Sequence, residues 1–371
     1  MDQEVHKRER MKIGVVGTGY VGLVQGVILA EFGMDVVCMD VDEEKIRQLR
    51  KGTSPIYEPG LEEILKKNIA AKRLDFTTDM QKVVEESEAV FIAVGTPSME
   101  DGSADLHYVQ DVAREIGRYI NGYKVIIDKS TVPVGTAKIV KKIIMDEIAQ
   151  RNENIVFDVA SNPEFLREGK ALHDCLSPDR IVIGTETEKA QAIMKEIYDG
   201  FNLNQTPFVF TNLETAEMIK YASNAFLAVK ISFINEMSLL SEAVGADVQQ
   251  IARAMGMDGR ISPKFLHAGP GFGGSCFPKD TRAIVNIGKA NNCEMRVVQA
   301  AIDANENQKQ AIVRKIVQNV GENSSLKDKT IAILGLSFKP DTDDMREAPS
   351  IDIIRGLVSA GGRIQAYCPK G

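Results

Sequence analysis

The sequence has no CxxC pair, no apolar run of membrane-spanning length, no internal repeat and no excess of positive charge, and each absence closes a class of function. Its five cysteines, Cys38, Cys175, Cys276, Cys293 and Cys368, are odd in number and widely spaced. That excludes the ligand spacing of zinc sites and the paired thiols of dithiol chemistry, so no metal is expected and a reducing cytoplasm is the natural setting. Residues 1–10, MDQEVHKRER, are charged and polar without the apolar centre of a signal peptide or anchor; they read as a frayed tail, and no membrane association is expected. A formal net charge of −7 argues against nucleic acid as a partner, so any anionic ligand must be gripped locally inside a cleft.

What is present is alternation. At 371 residues the chain is long enough for two or three domains. Short β-branched runs, KIGVVG from Lys12, DVVCMD from Asp35, AVFIAVG from Ala89, KVIIDKS from Lys124 and IVFDVAS from Ile155, are separated by amphipathic or charged segments. Strand and helix in turn imply an α/β fold, a doubly wound parallel sheet with helices on both faces. RIVIG from Arg180 and PFVF from Pro207 finish this domain near Thr211. From Asn212 a long helical stretch follows, with apolar residues around much of its circumference, suited to joining domains and offering a face to a second subunit. Helical segments continue to about Val320; after the polar break GENSSLKDK, TIAILGLSFK and RIQAYC read as a second nucleotide-type β-α-β unit, cut short at Gly371.

Gly17-x-Gly19-x-x-Gly22 stands directly after a strand and before a helix. The first glycine permits the tight turn, the second lets a pyrophosphate approach the backbone, and the third lets helix and strand pack closely. Asp40 ends the next strand, eighteen residues after Gly22. There a carboxylate accepts hydrogen bonds from an adenosine ribose and repels a 2′-phosphate, which points to NAD rather than NADP. Thr96 and Thr131 also follow strand ends, the edge of an open parallel sheet where ligands bind.

The loop FGGSCFPKD sets Cys276 among glycines, a lysine and an aspartate. A lone cysteine is ordinarily a small buried side chain; here the glycines allow close approach, Pro278 suits a first helical turn, and helix amides with Lys279 would favour a thiolate. Asp280 lies one turn on. Lys220 and Asn224, spaced i, i+4, share one face of the long helix, either as a solvated polar stripe or, given the apolar flanks, as part of a site. Glu164 and Glu168 have the same spacing and read either as helix-surface acids or as site residues.

Taken together, GTGYVG, VGTP, STVPVGT, NPEFLREG, KYASNAFLA, GRISPKFLHAGPGFGGSCFPKD and FKPDTDDMREAPS resemble the UDP-glucose/GDP-mannose dehydrogenase family over Lys12 to Pro369. The resemblance implies a Rossmann-like NAD domain at 1–211, a central helical dimerisation domain carrying the cysteine loop at 212–320, and the start of an incomplete Rossmann-like nucleotide-sugar domain at 321–371. It implies a cytoplasmic homodimer that oxidises a sugar alcohol to the acid with two NAD in succession, UDP-glucose to UDP-glucuronate. Alternatives are GDP-mannose or a UDP-N-acetylhexosamine as substrate, or a silent, truncated dinucleotide-binding protein. By resemblance, Cys276 forms a thiohemiacetal and then a thioester, Lys220 and Asn224 stabilise oxyanions, and Asp280, Thr131 and Glu168 position or activate water. The alcohol proton goes to Asp280 through water or to Lys220. The implied cofactor set adds Tyr20, Val21, Lys45, Thr96, Thr131, Glu168, Lys279 and Arg346 to the glycines and Asp40. Sugar-nucleotide contacts fall on Glu164, Phe165, Leu166, Lys220, Asn224, Phe265, Gly269, Phe272, Gly273 and Lys339, with Arg260 reaching a neighbouring subunit's substrate. Cys368 departs from the pattern, standing where relatives carry aspartate.

Overall fold

A computed structural model describes residues 10–200 and 206–370; the charged tail at 1–9 lies outside them. The chain forms two compact units. One comprises residues up to Pro97 with Asp105–Lys220, the other Ser98–Ala104 with Tyr221 onward.

The first unit is built on β1 (Lys12–Val16), β2 (Asp35–Met39), β3 (Leu74–Thr77), β4 (Ala89–Ile92), β5 (Val125–Asp128), β6 (Asp158–Ser161), β7 (Ile181–Thr185) and β8 (Phe208–Thr211), ordered β3-β2-β1-β4-β5-β6-β7-β8. Successive side chains of the central strands point to opposite faces. Ile13, Val15, Phe91 and Ile127 enter a core with α1 (Tyr20–Glu31), α2 (Glu43–Arg50), α3 (Leu61–Ala70), α7 (Ala171–Leu176) and α8 (Glu188–Asp199). Val16, Val90, Ile92 and Ile126 enter another with α4 (Met80–Glu86), α5 (His107–Tyr119) and α6 (Thr136–Gln150). Burial on both faces is why these strands read as continuous apolar runs, each such side chain contributing roughly 1.5–3 kcal/mol. Helix starts follow local chemistry: Asp42, Asp79 and Thr187 accept N–H bonds as N-caps of α2, α4 and α8.

Two features differ from the sequence expectation. The strand LDFT of β3 lies outside that expectation, because the exposed Asp75 interrupts its apolar run. The sheet is parallel except between β6 and β7, which pair antiparallel, so β7 and β8 run opposite to the rest. The physical consequence is that the connection from Asn162 to Arg180 stays at the carboxyl edge of β6 instead of crossing back.

Helix α9 (Leu213–Val244) runs 32 residues, and the division between units falls within it. The second unit continues with α10 (Val248–Gly256), α11 (Phe277–Ala290), α12 (Arg296–Val320) and the strand-helix-strand piece β9 (Thr330–Leu334), α13 (Pro349–Ser359) and β10 (Arg363–Tyr367). β9 and β10 are parallel neighbours, with Ile331, Ile333 and Ile364 packed on Val313, Leu326, Ile353 and Leu357. The excursion Ser98–Ala104 belongs here too: Asn286 of α11 donates to the Asp101 carbonyl at 2.5 Å.

Candidate active site

In the first unit the strand-to-helix turn after β1 has the three glycine environments a dinucleotide requires. Gly17 has φ +99°, and a Cβ there would lie 2.5 Å from the Ala93 carbonyl oxygen. A Cβ on Gly22 would lie 2.0 Å from the Gly17 carbonyl oxygen, so only glycine lets α1 pack on the turn. Around Gly19 there is nothing within 4 Å. That open space leaves room for a phosphate against the backbone, beside the first amides of α1, where Tyr20 and Val21 begin the helix. Asp40 follows β2 and accepts from the Thr18 N–H at 2.9 Å, the Thr18 hydroxyl at 2.7 Å and Lys45 Nζ at 3.0 Å. Burial pushes its carboxyl up, and these bonds overcome burial to hold it below the usual range. Thr96 donates its hydroxyl to the Thr131 carbonyl at 2.8 Å, tying the loops after β4 and β5 together.

Glu164 and Glu168 do not lie on a helix; the segment 162–167 is irregular, with Glu168 in a turn. Glu164 is buried, and Lys220 Nζ donates to its Oε1 and to its carbonyl, both at 2.7 Å. The Leu166 N–H donates to the other carboxylate oxygen at 2.6 Å. Burial raises the Glu164 carboxyl; Lys220 first, then Leu166 and Lys129, bring it below its ordinary value. Phe165 stacks under Arg180 at 3.8 Å and lies 5.5 Å from Lys220 Nζ.

Glu58, which sequence reasoning passed over, is 6% exposed yet joins two loops of this cluster. It accepts from the Tyr20 hydroxyl and from the Gly169 N–H, the latter at 2.7 Å, while Gly169 also donates to the Tyr20 oxygen at 2.7 Å. Its only signal was an acid in SPIYEPG, and an isolated glutamate does not announce burial.

In the second unit Cys276 is the N-cap residue of α11, half-buried, with Pro278 in the first turn and no side chain capping the helix. Ser275 Oγ lies 3.6 Å from its Sγ. The Asp280 N–H donates to the Cys276 carbonyl at 2.8 Å, so the expected one-turn separation is real. Asp280 is 1% exposed; Asn224 donates to its Oδ2 at 2.6 Å and Lys279 to its Oδ1 at 2.7 Å. The glycines before the cysteine are close-packed by the last segment. A Cβ on Gly273 would lie 2.3 Å from the Glu347 carbonyl oxygen, and Gly274, at φ +83°, donates to the Arg346 carbonyl at 2.9 Å. Three buried amides hold the preceding loop: Asn235 and Gln308 bind the Gly269 backbone, and Asn305 binds both N–H and C=O of Phe272. Phe265 and Phe272 each meet Phe277 edge-on at 6.0 Å.

The side chains of the remaining expected contacts have local partners within that unit. Arg260 forks onto Asp258 and Arg346 onto Asp344, both largely exposed; Lys339 Nζ stands 5.4 Å from the Phe338 ring. Among the described residues no group of three or more His, Cys, Asp or Glu is placed to hold a metal ion, and no helix is long and apolar enough to cross a membrane.

Comparison with known proteins matches three consecutive family models: the NAD binding domain of the UDP-glucose/GDP-mannose dehydrogenase family at residues 11–202, its central domain at 214–307 and its UDP binding domain at 332–371. A UDP-glucose 6-dehydrogenase of Rhizobium meliloti is 51% identical over 97% of this chain and 82% of its own length. UDP-glucose 6-dehydrogenase TuaD of Bacillus subtilis is 51% identical over 96% of this chain and 76% of its own. Among solved structures, a UDP-glucose dehydrogenase from Pyrobaculum islandicum superposes with TM-score 0.92 at 40% identity, covering 97% of this chain and 82% of that one.

Proposed function

The chain belongs to the UDP-glucose/GDP-mannose dehydrogenase family, and we propose that it oxidises UDP-glucose twice, to UDP-glucuronate, with Cys276 as covalent relay. NAD-dependent oxidation of UDP-glucose follows from the family domains and from relatives at 51% identity. The open space at Gly19 with Asp40 beyond it suits NAD, which when bound accepts one hydride in each oxidation. Glycine backbone and α1 amides would hold the pyrophosphate, and Asp40, fixed by Thr18 and Lys45, the ribose.

Lys220 serves the sugar. Its ammonium is anchored on Glu164 and offers positive charge to the C6 oxygen as hydride leaves the carbon and the alcohol proton departs. Asp280, its oxygens held by Asn224 and Lys279, takes that proton through water. The resulting aldehyde has no second hydride to give until a nucleophile adds. The Cys276 thiolate, at the positive end of α11, forms the C–S bond and the oxygen takes a proton, giving a thiohemiacetal. Loss of a second hydride and a proton gives the thioester. Water then adds, the C–S bond breaks, and acid and thiol are released, with Thr131 and Glu168 positioning the water. The single observation that carries the covalent route is Cys276 at the uncapped start of a 14-residue helix with Asp280 one turn on.

Substrate binding falls to Phe165, Leu166 and the loop Phe265–Gly273, with Lys339 and Arg346 at substrate and cofactor. A homodimer is supported by Phe226, Phe233, Leu240 and Val244, exposed along α9 at steps of seven, seven and four residues. Arg260 then reaches the second subunit's substrate, and the dimer works in the cytoplasm. The test is to count NADH formed per UDP-glucose consumed with NAD in excess. Two equivalents with UDP-glucuronate as product support the reading; one equivalent removes the relay, and faster turnover of GDP-mannose at equal concentration moves the substrate.

A further inference from the structure

Behind the Glu164–Lys220 pair the first unit buries a second lysine. Lys129 follows β5, two residues before Thr131, and is 6% exposed. Its Nζ donates to Asn162 Oδ1 at 3.1 Å and to the Tyr198 hydroxyl oxygen at 3.3 Å. The Tyr198 hydroxyl donates to the same Asn162 oxygen at 2.5 Å, and Asn162 Nδ2 donates to the Val182 carbonyl at 2.7 Å. Asn162 opens the NPEFLREG loop, so Lys129 grips the base of the loop that carries Glu164 while its own backbone leads into Thr131.

The charges make this lysine unusual. Glu164 and Lys220 cancel as a pair, and Lys129 leaves the cluster with one net positive charge. The titratable groups facing Lys129 are Cys175 of α7, Tyr198 of α8, Glu164 and Lys220 of α9. Burial pushes the Cys175 thiol up to about 12 and the Tyr198 phenol well above its ordinary value, so neither supplies a second anion near neutral pH. Burial brings Lys129 itself down to about 8, against the pull of Glu164 and with the repulsion of Lys220. A buried ammonium works against folding. No neighbour depends on it for a hydrogen bond: Asn162 Oδ1 keeps Tyr198, and Glu164 keeps Lys220 and the Leu166 N–H.

We propose that Lys129 is a positioning residue for the oxidation: its charge draws on Glu164, so the Lys220 ammonium keeps uncompensated positive charge for the oxygen that becomes an alkoxide. The inference rests on the reading that Lys220 serves the sugar alcohol.

The experiment compares unaltered protein with Lys129→Met, reading kcat/KM for UDP-glucose at saturating NAD from about pH 6.5 to about 9.5, together with Tm. Near pH 7 the variant is expected to be about tenfold or more slower, an effect on the scale of one charge removed at buried-site distances. The deficit should shrink toward unity at the alkaline end, where Lys129 in the unaltered protein has lost its own charge, and Tm should hold or rise. A deficit that is the same at every pH and accompanies a fall in Tm makes Lys129 a structural strut and overturns the proposal; so does the absence of any deficit. If Lys129→Met does not fold, Lys129→Gln, whose amide can bond Asn162 and Tyr198 without charge, carries the same expectation. Failure of the unaltered protein to reduce NAD with UDP-glucose would instead sink the functional reading, a result visible before any variant is compared.

Discussion

Lys220 and Glu164 in the first unit are 4% and 5% exposed, whereas Lys279 and Asp280 in the second are 17% and 1% exposed. The first pair is closed on both sides: the lysine is bound to carboxylate and carbonyl, the carboxylate also to a backbone N–H, and a second lysine lies behind. The second is open on the cationic side and shares its carboxylate with a carboxamide, one helical turn from a half-buried thiol. A closed pair holds charge in a fixed place; in the half-open one only the lysine meets solvent, while its carboxylate stays buried. In the proposed mechanism the same two residue types would serve electrostatic preorganisation in one unit and proton traffic in the other.

The sharpest test of that division is Cys276→Ser. Release of UDP-glucuronate should fall by about 10³-fold or more while a first equivalent of NADH still forms, as expected when only the covalent half is removed. Product analysis with NADH counting checks this, and unchanged steady-state turnover would rule the relay out.

Removing the two lysines should separate the pairs by stability. Lys220→Ala strands a buried carboxylate and is expected to cost about 3–5 kcal/mol. Lys279→Ala removes one bond from the buried Asp280 carboxylate but leaves it Asn224, and with the lysine itself partly exposed should cost less, about 1–3 kcal/mol. Equal shifts of the denaturant midpoint would erase the distinction.

Glycine substitutions probe the same contrast in the backbone. Gly19→Ala meets open space, so it should leave stability nearly unchanged and weaken NAD binding about tenfold, close to 1.4 kcal/mol by calorimetry. Gly273→Ala meets the Glu347 carbonyl and should lower stability by about 1–3 kcal/mol. A stable Gly273→Ala protein would show that the last segment yields easily.

The smallest effect is in acid. The Glu164 carboxyl is held below its ordinary value, so its stabilisation is complete above about pH 4.3, the unfolded value, and is lost as pH falls through the lower folded one. Glu164→Gln should flatten that part of the stability–pH curve, and an unaltered acid slope would remove Glu164 as its source.

Much of the first unit was legible because its signals are local. Glycine is favoured where φ is positive, as at Gly17, and where a helix packs closely on a turn, as at Gly22, and Asp40 follows directly on β2. The buried supports were not legible. Glu58, Lys129 and Asn162 are polar residues in ordinary loop or strand-end contexts, and only the partners they meet more than thirty positions away in sequence explain them. The spacing of Glu164 and Glu168 suggested a helix that does not form, since Asn162 and Lys220 hold the segment in an irregular path.

By itself the sequence determined the alternation of strands and helices, the dinucleotide turn, and the placing of Cys276 and Asp280 one helical turn apart, because each depends on neighbours a few residues away. Tertiary structure alone decided which lysine meets which carboxylate, that β7 and β8 reverse, and that Glu347 and Arg346 close on the cysteine loop. Those outcomes depend on burial and on long-range pairing, and the cost of removing charge from water is set by what surrounds it.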